Sequence, residues 1–125
     1  PADPVGCWPM TRRQPERALQ RRVCHLLEIG LPLTSWYTSI PGGHGRMTRL
    51  PGYQSGAPDI LIISRDAPPV AIELKAGKNG TTPTQDDCHS LLRAAGAVVG
   101  VCRSVDEVIE LCRSAGILIR AKVMA

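Results

Sequence analysis

Phenylalanine is absent from the 125-residue chain, and aromatic residues make up only 3% of it. Any core must therefore be aliphatic. Long hydrophobic runs are also missing. The longest apolar stretches, Asp59-Ile-Leu-Ile-Ile63 and Ala94 to Cys102, fall far short of the ~20 residues that a membrane helix needs. No cationic start followed by an apolar segment is seen, so no secretory signal is expected. No CxxC pair occurs, and five cysteines (Cys7, Cys24, Cys88, Cys102 and Cys112) are an odd number. Reduced thiols are the expectation. Cys24-His25 and Cys88-His89 make poor zinc pairs, because neighbours on a helix point about 100° apart. These absences argue against secreted, transmembrane and fibrous classes.

What remains is 43% apolar and 21% charged, with a net charge of +4 and a pI near 9.1. That composition and length suit one globular domain, read as residues 10–125 after a flexible, proline-rich leader over 1–9. Twelve of the fifteen cations are arginines, and seven of these precede residue 50: Arg12, Arg13, Arg17, Arg21, Arg22, Arg46 and Arg49. Arginine forks onto phosphate oxygens, so a polyanionic partner and a merely solvated helix face are both open readings.

Periodicity gives the elements. Ala18, Leu19, Val23, Leu26 and Leu27 recur at helical spacing, predicting a first helix over Pro15 to Ile29, stopped by Gly30 and Pro32. Leu33 to Ile40 is rich in strand formers. A basic, glycine-rich loop follows from Pro41 to Gly56. Asp59 to Ser64 and Val70 to Lys75 predict a hairpin around a turn at 65–69. Thr82-Pro83-Thr84-Gln85 is a capping box opening a helix that runs to about Ala95. Ala97 to Cys102 is a further strand. Ser104-Val-Asp-Glu107 is a second capping box, opening a helix that ends near Gly116. Ile117 to Ile119 is a candidate last strand. The predicted order is α-β-β-β-α-β-α.

The chemistry concentrates in Pro58-Asp59 and Glu73-Leu74-Lys75. Side chains two apart on a strand share a face, about 7 Å apart. Glu73 and Lys75 therefore face together and Leu74 faces the other layer. Thirteen residues separate Asp59 from Glu73, which lets a hairpin lay them side by side. Two adjacent carboxylates repel in a low-dielectric site, so one must take a proton or a cation must neutralise them. Oxygen ligands without a paired histidine or thiolate favour Mg2+ or Mn2+, with the Leu74 carbonyl as a further oxygen. Lys75 is then placed to orient an attacking water. The bland alternative is a turn aspartate and a solvent-facing Glu73/Lys75 pair.

Gly56-Ala-Pro-Asp-Ile-Leu61, Ile72-Glu-Leu-Lys75, Gln85 and the run Leu92, Gly96, Val98–Val101 resemble the VRR-NUC domain of the PD-(D/E)XK nuclease superfamily, over about Glu16 to Gly116. The resemblance implies an α/β, restriction-endonuclease-like mixed central sheet flanked by helices. It implies Mg2+- or Mn2+-dependent cleavage of DNA phosphodiesters. Short stand-alone bacterial and phage members are associated with homodimers that resolve four-way Holliday junctions. A bacterial or phage-infected cytoplasm is the matching location, with no membrane partner.

By position, Asp59 and Glu73 match the metal-binding carboxylates, Lys75 the catalytic lysine, Glu16 the acidic residue of the first helix and Gln85 the downstream glutamine. The alternative for Glu16 is a partner of the helix dipole, and Gln85 is equally a capping residue. His44, Arg46, Arg49, Lys78, Arg17 and Arg21 are the candidate DNA contacts, with Arg22 beside them. The rivals are the same catalyst acting on flaps or nicks, and a catalytically silent nucleic-acid-binding module.

Overall fold

The computed structural model describes residues 13–40 and 51–120. The leader over 1–9 and the loop candidates His44, Arg46 and Arg49 lie outside the described residues. The observed order is α1 (Arg13–Gly30), β1 (Ser35–Ser39), β2 (Ile60–Ser64), β3 (Ala67–Leu74), α2 (Pro83–Ala94), β4 (Val98–Cys102) and α3 (Val105–Ser114). Every predicted helix is present. Among the described residues no helix is long and apolar enough to cross a membrane.

The strands form one sheet in the order β1-β2-β3-β4. The first three are antiparallel neighbours, and β4 runs parallel to β3. A parallel pair needs a long crossover, and α2 supplies it. Alternation along the strands sorts side chains into two layers. Ile60 and Ile62 of β2, Val70, Ile72 and Leu74 of β3 and Cys102 of β4 join Leu19, Val23 and Leu27 of α1 and Val108 and Cys112 of α3 in one aliphatic core. Each fully buried leucine or isoleucine contributes about 1.5–3 kcal/mol relative to exposure. Gly100 lets α3 approach this face of β4: a Cβ there would stand 2.7 Å from Leu111 Cδ2. The opposite face carries Ala71, Glu73 and Val99, and α2 lies on that side.

The structure departs from the sequence reading in three places. The hairpin turn is shorter than expected: β3 begins at Ala67, so Pro68 and Pro69 lie in a strand. Pairing with β4 starts only at Val70, and the β2 register is interrupted between Ile62 and Ser64. The missing proline N–H groups are thus placed where the ladder does not use them. Ile117 to Ile119 is not a strand. Ile117 is buried in the core, and Arg120 N–H donates to Gly30 O at 3.0 Å, tying the chain to the end of α1 instead. At the second capping box, Ser104 Oγ accepts from Glu107 N–H as expected, but Glu107 Oε1 takes the Arg103 N–H, one residue early.

Candidate active site at the β2–β3 edge

Asp59 precedes β2, and its N–H donates to Ile72 O at 2.9 Å. With Ile60 opposite Ile72, Asp59 falls opposite Glu73. The hairpin therefore lays the two carboxylates side by side, on the face away from the aliphatic core. Leu74, between Glu73 and Lys75, packs into that core. Its N–H donates to Asp59 Oδ2 at 2.7 Å, fixing the aspartate's rotamer. Lys75 is held by its own N–H to Cys102 O at 3.1 Å.

Glu73 and Lys75 are 3% and 8% exposed, which rules out the solvent-facing pair. Lys75 Nζ stands 3.8 Å from Glu73 Oε2. Buried ionisable side chains are rare unless paired, and this pairing is incomplete. Burial, followed by the charge of Asp59, raises the Glu73 carboxyl to about 8 against the pull of Lys75. Burial also raises Asp59, although the Leu74 N–H opposes it. The charge of Asp59 thus disfavours ionisation of Glu73, and neighbouring carboxyl groups of this kind lose their protons in linked steps.

The helices complete the setting. Glu16, in the first turn of α1, reaches across to the loop after β3. Its Oε2 accepts from Ala76 N–H at 3.4 Å and from Asn79 Nδ2 at 3.2 Å, and its charge is felt by both carboxylates. Gln85 fills both of its candidate roles at once. Its Oε1 accepts from Thr82 N–H at 3.0 Å, closing the capping box, while its Nε2 donates to Glu73 Oε2 at 3.1 Å. The loop before Asp59 is seated on the same helix start. Gly56 has φ +80, and a Cβ there would collide with the Thr84 carbonyl. A side chain at this position would push the aspartate's loop away from α2.

The structure thus brings Asp59, Glu73, Lys75, Gln85 and Glu16 to one edge. Arg17 and Arg21 are exposed on α1, and Lys78 is exposed in the loop that Glu16 holds. Arg103 Nη1 braces that loop through Gly77 O at 2.9 Å. One neighbour was not foreseen. His89 is buried on α2, and its Nε2 lies 3.6 Å from Glu73 Oε1. Burial first, then the charge of Arg93, lowers its pKa, so the contact is with a neutral ring rather than an ion pair. The available signal was its place four residues after Gln85, on the same helix face.

The donor set fits a hard dication. It consists of two neighbouring carboxylates, short of positive charge, with one buried oxygen of Glu73 lacking any hydrogen-bond partner among the described residues. Among the described residues no three His, Cys, Asp or Glu side chains converge as a ready metal cluster. Water, backbone and phosphate oxygens would have to complete the shell, as is usual for Mg2+.

No family model matches the chain, and no curated protein matches it. Among solved structures, the chain is similar to one described as a VRR_NUC domain. The two are 26% identical with a TM-score of 0.56, over 79% of this chain and 95% of that one. The fold is that of a VRR-NUC domain. The mixed four-stranded sheet flanked by helices is the feature the two share.

Proposed function

We propose that the chain is a divalent-metal-dependent DNA endonuclease that hydrolyses phosphodiester bonds, acts on branched DNA and resolves Holliday junctions as a homodimer. The supporting observation is the buried Glu73 carboxylate beside the half-buried Asp59, with the Lys75 ammonium 3.8 Å from Glu73 Oε2. Asp59 and Glu73 would hold Mg2+ or Mn2+, with the Leu74 carbonyl as a further oxygen and Glu16 as the outer carboxylate. Such an ion, when bound, lowers the pKa of a water ligand and neutralises phosphate charge.

This chain's own residues do the rest. Asp59 is pinned through Oδ2 by the Leu74 N–H, which leaves Oδ1 as its second donor. Gln85 fixes Glu73. Lys75 orients the attacking water and offsets negative charge developing on the phosphate. Arg17, Arg21 and Lys78, with His44, Arg46 and Arg49, would contact the DNA backbone. A four-way junction needs two symmetric cuts, and a two-fold pair of these chains would supply two sites. The bacterial or phage-infected cytoplasm remains the matching setting.

The test incubates the protein with labelled four-way, flap and linear duplex DNAs in Mg2+ or Mn2+. Symmetric nicks in opposing arms of the junction are expected. D59N and K75A should each reduce the rate by about 100-fold or more, since even residues that only support a metal's ligands are worth about 10–100-fold. Cleavage of flaps but not junctions would replace the substrate. DNA binding without cleavage in either metal would overturn the enzymatic reading in favour of a silent binding module.

A further inference from the structure

Two buried side-chain atoms lack any hydrogen-bond partner among the described residues: Glu73 Oε1 and His89 Nε2. They face each other at 3.6 Å, on side chains that are 4% and 3% exposed. That spacing is too long for a hydrogen bond. Leaving a buried polar atom unsatisfied costs about 1–3 kcal/mol, so two such atoms facing each other need a reason. The other oxygen of the same carboxylate, Oε2, accepts from Gln85 Nε2 at 3.1 Å. Gln85 and His89 are one helical turn apart on α2, and each addresses one oxygen of Glu73.

We propose that His89 is a positioning residue for Glu73: its Nε2–H closes onto Oε1 when the carboxylate pair takes up a divalent cation, and with Gln85 it clamps the carboxylate plane toward Asp59. This deepens the metal-dependent reading above and rests on it. The two atoms stand 3.6 Å apart across a buried gap, so a small shift of the carboxylate closes the bond. Each oxygen of a ligating carboxylate keeps a lone pair for a donor, and a neutral imidazole has one N–H to offer. Direct ligation by His89 is disfavoured, because Asp59, Glu73 and His89 do not converge as a three-member metal group. A hydrogen bond from outside the ligand set is the usual way a helix orients a ligating carboxylate.

The test is Mn2+ calorimetry on wild type, H89L, H89Q and D59N, with the metal-free melting temperature of each. H89L keeps the packing and removes the donor, and should weaken Mn2+ binding by about 10–100-fold without lowering the metal-free melting temperature. H89Q restores an N–H and should return to within about threefold of wild type. H89L binding Mn2+ as wild type does, or H89Q no better than H89L, overturns the positioning role alone. Wild type that takes up no Mn2+, or D59N that titrates unchanged, overturns the metal reading itself. Should H89L fail to fold, 15N-histidine spectra of the wild type decide. Diamagnetic Mg2+ should shift the His89 Nε2 resonance and slow exchange of its proton, and an unmoved, fast-exchanging signal refutes the clamp.

Discussion

At the scale of the residue, Asp59 and Glu73 form a destabilising arrangement that the fold tolerates. Burial and mutual repulsion raise Glu73 from 4.5 to about 8. The folded chain therefore holds a proton that the unfolded chain has released across that window. Stability rises wherever the unfolded state binds more protons, and here the folded state does. The metal-free protein should be most stable below about pH 4.5 with respect to this group, and should lose that contribution as pH climbs toward 8. E73Q should flatten this stretch of the profile, and excess Mn2+ should reverse the loss at the alkaline end. Melting temperatures across pH 4–9, with chelator and with Mn2+, check the sign. A metal-free stability that climbs through this window would contradict it.

At the scale of the element, α2 anchors the site as well as covering the sheet. Its capping box uses Gln85, and the same side chain holds Glu73. The two duties separate by mutation. T82A removes the side-chain acceptor of the Gln85 N–H and should cost about 1 kcal/mol of stability with cleavage nearly unchanged. Q85A removes the Glu73 contact too and should also slow cleavage by about 10–100-fold. Urea unfolding and single-turnover rates for both variants test this.

Such elements were legible in the sequence because local signals fixed them. Leu19, Val23 and Leu27 marked the buried stripe of α1, and Thr82 to Gln85 marked the start of α2. The hairpin arithmetic placed Asp59 beside Glu73 because a side-chain period of two leaves little freedom of register. The errors came from tertiary context. Pro68 and Pro69 read as a turn, yet a central strand admits them below the point where β4 begins to pair. Ile117 reads as a strand, but its burial in the aliphatic core satisfies it without one. His89 was invisible as a partner of Glu73, since only the packing of α2 on β3 reveals what faces it.

At the scale of the whole molecule, a net charge of +4 on 125 residues falls unevenly, with exposed Arg17, Arg21 and Arg22 along α1 and exposed Lys78 in the loop after β3. If α1 tracks a DNA backbone, neutralised phosphates release counterions and binding weakens linearly in log salt. The double variant R17A/R21A should weaken binding to all DNA shapes alike and reduce the salt slope by about 2. Anisotropy titrations at several salt concentrations measure it, and an unchanged slope would assign these arginines to solubility alone.

The account rests on one physical claim: the acidic pair at the edge of β2 and β3 is built to share a dication. Anomalous diffraction from crystals soaked in Mn2+ addresses it most directly. A manganese peak bonded to oxygens of both Asp59 and Glu73 is the predicted result. Manganese elsewhere, bonded to neither carboxylate, would contradict it.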